Sequence, residues 1–130
     1  MSEIRATTIS NAAGTGPITM TGQYAAKAWV NFNGTGTVAI RESGNVGSIT
    51  DNGTGDYTVT FTTAMVDANY WVGGMADRGV GSGGDSNVNL GTGNSTSYTY
   101  LTTDSARVTT GRSNDSLLLD ALIVNVAITR

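Results

Sequence analysis

The chain contains no cysteine and no histidine, and its only proline is Pro17. Without cysteine there is no disulfide, no thiolate nucleophile and no zinc site built on sulfur. Without histidine the commonest general base and the commonest transition-metal ligand are both missing. Ser-His-Asp catalysis, Cys-His catalysis and histidine-ligated metal chemistry are therefore excluded, and no catalytic residue, metal or other cofactor is expected. Charge is sparse as well, with 13% charged residues and a formal net charge of −3. The seven basic residues are scattered as Arg5, Lys27, Arg41, Arg78, Arg107, Arg112 and Arg130. No basic run is available to neutralise a phosphate backbone, so a nucleic-acid partner is not expected. No apolar run exceeds four residues, far short of the roughly 20 that a membrane-spanning helix needs. The N-terminal MSEIRATTIS has no apolar stretch of the secretory type, so synthesis in a cytoplasm is the expectation.

What is present is glycine, threonine, serine and asparagine in a chain of 130 residues, the length of one ordinary domain. Low charge with many β-branched residues argues for strands joined by tight turns rather than for disorder. Period-two alternation carries the rest. In YTVTFT, Tyr57, Val59 and Phe61 share one face. In KAWVNFN, Ala28, Val30 and Phe32 oppose Lys27, Trp29 and Asn31. TVAIRE turns Val38 and Ile40 inward, and ALIVNVAIT aligns Leu122, Val124, Val126 and Ile128. Weaker strands are expected at Arg5–Ile9, Asn45–Ile49, Asn87–Leu90, Tyr98–Thr102 and Ala106–Thr110, and one short turn is expected within Thr62–Asn69. The pattern predicts an all-β, antiparallel β-sandwich of jelly-roll-like type over residues 26–130, preceded by a polar N-terminal arm over residues 1–25.

Asn-Gly-Thr-Gly occurs twice, at Asn33–Gly36 and Asn52–Gly55. Asn-Gly between alternating runs supplies the two positive-φ positions of a type I′ hairpin turn, and the second glycine allows a bulge. Both stretches therefore read as hairpin turns and not as a repeat unit, because the flanking residues do not recur in register. Asp51 and Asp56, close across the second turn, are expected to close it through side-chain to backbone hydrogen bonds. The same motif makes Asn33 and Asn52 glycosylation-type triplets, as it does Asn94, but turn chemistry accounts for them without a secretory route. Gly79–Gly84 matches G-x-G-x-x-G, yet DSNVNLGTG follows it where a nucleotide fold needs a helix. The glycine-dense Asp77–Asn94 reads instead as a long loop or loose hairpin.

Phe32, Tyr57 and Phe61 fall in phase with the core. Trp29 and Trp71 alternate against core positions, and Tyr98 and Tyr100 share one face of STSYTYLT. An outward aromatic face marks a subunit interface or a carbohydrate platform, and the thin core of so small a domain favours the interface. The candidate partner or receptor surface is Trp29, Trp71, Arg78, Asp85, Asn87, Tyr98 and Tyr100. The candidate docking arm carries Ile4, Arg5, Ile9 and Ile18.

One stretch has a family likeness. AWVNFNGTGT, then NVGSITDNGTGDYTVTFTTAM and DANY, all within Ala26–Gly74, resemble a domain found in virion proteins of tailed bacteriophages, marine ones especially. The resemblance implies a compact β-sandwich on the particle surface, commonly a homotrimer, without enzymatic activity. Such proteins are often tail fibres, but no collagen-like, coiled-coil or repeat shaft occurs here. A short domain with a polar arm fits a head-decoration protein better, assembled in the host bacterial cytoplasm onto the major capsid protein. The alternative is a tail component that binds a host surface glycan, its specificity in the Arg78–Asn94 loop. A glycan depolymerase is a remote third, with neither histidine nor a convincing carboxylate cleft.

Overall fold

The computed structural model describes residues 12–14, 25–79, 86–89, 100–112 and 117–130. Eight strands run in chain order: β1 Ala26–Asn33, β2 Ala39–Gly44, β3 Val46–Gly53, β4 Asp56–Phe61, β5 Trp71–Asp77, β6 Ser86–Asn89, β7 Ser105–Arg112 and β8 Ile123–Thr129. All pair antiparallel in one ladder, β2-β1-β8-β5-β6-β7-β4-β3. Strands sit about 4.8 Å apart, so β1 and β4, five places apart in that order, would lie roughly 24 Å apart in a flat sheet. Instead the rings of Phe32 on β1 and Tyr57 on β4 meet edge to face at 5.1 Å. The ladder is folded over on itself. The fold line is at β5 and β6, which share the single register pair Ala76↔Ser86. Layer β2-β1-β8-β5 thus packs on layer β6-β7-β4-β3, a β-sandwich. These pairings establish the sandwich and stop short of the jelly-roll winding expected with it.

The alternating residues fill the space between the layers. Ala28, Val30 and Phe32 from β1, Tyr57, Val59 and Phe61 from β4, Val108 from β7 and Val124, Val126 and Ile128 from β8 are all buried. Two expectations fail at strand ends. Ile40 is 36% exposed, because it lies on the edge strand β2, beyond the cover of the opposing layer. Its register with Phe32 follows a bulge at Asn31/Phe32. Leu122 is 41% exposed, because wholly buried Ala121 takes the inward place and the chain bends before β8 begins. Residues 62–69 form bends without a helical turn. The expected loose hairpin after Asp77 is present in so far as β6 pairs back on β5. The Arg5–Ile9 strand and Tyr98 lie outside the described residues.

Asn45 alone separates β2 from β3, the two opposite edges of the ladder, so the chain crosses between layers at this one residue. Among the described residues it is the one non-glycine with positive φ, 56°, a conformation asparagine tolerates better than most. Its Nδ2 donates to the Lys27 carbonyl at 3.1 Å and the Thr63 carbonyl at 3.0 Å, and its Oδ1 accepts from Thr63 N at 2.7 Å. The crossing is thereby tied to the start of β1 and the end of β4. Asn45→Ala is expected to cost about 2–3 kcal/mol in urea unfolding, and Asn45→Gly about 1 kcal/mol less, since glycine keeps the backbone angle. Equal losses would remove backbone strain from this account.

The two Asn-Gly-Thr-Gly turns do form hairpins, but not through left-handed asparagine. Positive φ belongs to Gly36 (62°), Gly53 (134°) and Gly55 (64°), not to Asn33 or Asn52. Asn33 acts through its side chain instead. Its Nδ2 donates to the Thr35 carbonyl at 2.8 Å, while Oδ1 accepts from Thr35 N and Oγ1 at 3.2 and 2.8 Å. In the second turn Gly53 faces Asp56 and the loop is Thr54-Gly55. Asp51 Oδ1 closes it, as expected, by accepting from Gly53 N at 2.9 Å.

Both turns dock on one segment, Leu119–Ala121. Gly34 N donates to the Ala121 carbonyl at 2.9 Å, and Gly55 N donates to Asp120 Oδ1 at 2.7 Å. Tyr57 Oη joins them, 2.9 Å from both the Gly34 carbonyl and Asp120 Oδ1, its one proton serving two acceptors. Burial first, and then the Asp120 carboxylate beside it, push the Tyr57 hydroxyl well above the usual phenol range.

Asp56 departs from its expected turn-closing role. Its carboxylate forms a two-pronged ion pair with Arg107 across β4 and β7, with Arg107 Nε donating to Oδ1 at 2.7 Å. That pair holds the carboxyl below its ordinary value of 3.8. A lowered carboxyl stabilises the fold above 3.8, and the contribution is lost as pH falls through the folded-state value. Wild type should exceed Asp56→Asn by about 1 kcal/mol at neutral pH, and the gap should close only below about pH 4. Urea unfolding at stepped pH checks this, and a gap independent of pH would contradict it.

Candidate functional site

The outer surface of layer β2-β1-β8-β5 gathers the chain's two tryptophans. On this face Trp29 of β1 stands opposite Ala127 of β8, and Ala127 stands opposite Gly73 of β5. Trp71 lies two residues before Gly73 and Met75 two after, all in the same phase. Trp71 is 61% exposed, Met75 65% and Trp29 41%, whereas single exposed apolar residues are ordinary and such a group is not.

Glycines lay both indoles down. A Cβ at Gly73 would collide with the six-membered ring of Trp71, and a Cβ at Gly44, the register partner of Trp29, would collide with its pyrrole edge. Each ring therefore occupies space that a neighbouring side chain would fill. Beside Trp29 is a shallow depression of about 380 Å³ lined by Trp29, Met75, Asn125, Ala127 and the backbone of Val30, Gly74 and Val126. At its border Asn31 Nδ2 donates to Asn125 Oδ1 at 2.6 Å. No family model, curated protein or solved structure matches the chain.

Of the expected surface residues, the structure brings only Trp29 and Trp71 together. Half-buried Arg78 follows β5 at the end remote from Trp71. Asn87 lies on β6, in register with Gly111 of β7. Tyr100 is half-buried beside β7, its carbonyl accepting from Arg107 N at 2.7 Å, and so belongs to the other layer. Asp85 and Tyr98 lie outside the described residues, as do the arm positions Ile4, Arg5, Ile9 and Ile18. Met75 and the Asn31–Asn125 pair were not expected. Alternation could have put Met75 in phase with Trp71, but the β1–β8–β5 neighbourhood that joins them is a long-range pairing.

A second concavity, about 340 Å³, lies at the start of β1. Lys27, Asn45, Thr63, Ala64, Met65, Val66 and Arg130 line it. Val66 is 84% exposed at its rim. Arg130 pairs with Asp67 and donates from Nη1 to the Asn69 carbonyl at 3.0 Å, fixing one wall. Among the described residues no three acidic side chains come together as a metal site.

Proposed function

We propose that the chain is a non-enzymatic structural protein on the surface of a tailed-phage particle, a homotrimeric capsid-decoration protein seated on the major capsid protein. The observation that carries this reading is the pole of the sandwich at which the polar segment 1–25 joins β1. There the cleft with its exposed Val66 and an apolar floor at Met65 lies beside the basic side chains of Lys27 and Arg130. A segment emerging beside an open, apolar-floored cleft suits anchoring across a shell, where stable contacts bury roughly 1,200–2,000 Å² in total. The phage-like motifs at Ala26–Gly74 support the same reading.

Removing residues 1–20 and measuring occupancy on capsids tests it. Loss of occupancy is expected, whereas undiminished binding would take the segment out of the mechanism. Labelling the chain on intact particles decides head against tail, and its mass in solution tests the trimer. A receptor-binding tail module is the second reading, favoured by the exposed indoles of Trp29 and Trp71.

A further inference from the structure

The geometry points to a saccharide-binding site on the outer face of β1, β8 and β5, built from Trp29, Trp71, Met75, Ala127 and the Asn31–Asn125 amide pair, and taking neutral β-linked pyranose chains. The depression has the volume of a small-ligand site. Both indoles lie over glycines, Trp29 lining the hollow and Trp71 on the same face beyond its lining, rather than projecting as anchors for a partner's pocket. Pyranose rings with equatorial hydroxyls present flat C–H faces, the shape that stacks on such rings. The hydroxyl edges have partners too. The single Asn31–Asn125 hydrogen bond leaves one amide oxygen and one amide NH₂ without a protein partner among the described residues, and exchanging the two ends of both amides leaves the same inventory. An acceptor beside a donor suits adjacent hydroxyls. A second copy's apolar surface would bury those atoms unpaired, which is unfavourable. The residues that line the hollow are all uncharged, so a neutral sugar fits better than an anionic one.

The hollow shares no lining residue with the cleft at the start of β1, and the site stands whether the chain sits on a head or a tail. Trp29 and Trp71 are the only tryptophans, so intrinsic fluorescence reports the site directly. The full chain titrated with cellohexaose and with chitohexaose should give a saturable change at millimolar sugar or below with at least one of them. Trp71→Ala, followed through Trp29, and Asn125→Ala should each weaken binding by about tenfold. Unchanged thermal melting would show that both variants fold. No saturable change with either sugar, or binding indifferent to both substitutions, would overturn the site. So would an oligomer mass that collapses in Trp71→Ala without sugar binding, which would give the face to a second copy. None of these outcomes bears on whether residues 1–20 hold the chain to a capsid.

Discussion

Gly55→Ala is expected to be among the most damaging single-methyl substitutions at the described residues, costing roughly 3–5 kcal/mol. A total stability of about 5–15 kcal/mol is usual for a domain, so the variant should be partly unfolded at ambient temperature or close to it. Two causes add. Gly55 has φ of 64°, which an L-residue adopts at a cost of about 1 kcal/mol. The larger cause is crowding: a Cβ there would meet the Thr110 carbonyl, Leu119 N at 2.6 Å and Leu119 O at 2.9 Å. These are backbone atoms already committed. Thr110 N donates to the Gly55 carbonyl at 2.8 Å, and Leu119 N donates to the Thr110 carbonyl at 2.9 Å. No side chain can rotate away, so the turn must lift off and surrender its bond to Asp120.

Gly36 is the internal control. It holds the same place in the other Asn-Gly-Thr-Gly turn, with φ of 62°, yet a Cβ there meets nothing within 4 Å. Gly36→Ala should therefore cost only about 1 kcal/mol. Urea midpoints for the two variants measure the difference. Equal losses would mean that backbone angle alone matters and that docking on Leu119–Ala121 contributes little.

That contrast shows where sequence stops being informative. Alternation placed Tyr57, Val59, Phe61, Val124, Val126 and Ile128 in the core because burial on one face of a strand has a strict period of two. It misplaced Ile40 and Leu122, because cover by the other layer ends at β2 and before β8, and periodicity carries no record of where layers end. The Asn-Gly turns were legible as turns but not in their chemistry, since Asn33 works by side-chain hydrogen bonds and the two glycine pairs meet different surroundings. Trp29 and Trp71 were legible as outward-facing. Their shared face was not, because it depends on β8 lying between β1 and β5, a pairing of distant segments that no local pattern encodes.

Asp120→Ala should rank next, with a loss of about 3–4 kcal/mol, although Asp120 is neither apolar nor fully buried. One oxygen, Oδ1, accepts from Gly55 N and lies within reach of Tyr57 Oη, so its removal strips partners from both the second turn and β4. Tyr57→Phe acts from the other side and should cost about 2 kcal/mol, as the Gly34 carbonyl loses its hydroxyl donor. The two losses should not add. Because the groups share one hydrogen bond, the double variant should fall short of the sum by about 1 kcal/mol. Strict additivity would mean that Tyr57 serves Gly34 alone. Alkaline unfolding gives a second readout. The Tyr57 hydroxyl is raised above its ordinary value of 10.0, so its contribution is complete below that pH and is lost as pH climbs through the folded-state value. Wild type should therefore lose stability steeply above about pH 10 relative to Tyr57→Phe, and Asp120→Ala, which removes one of the causes that raise the hydroxyl, should make that loss smaller and complete at a lower pH, with the part due to burial remaining.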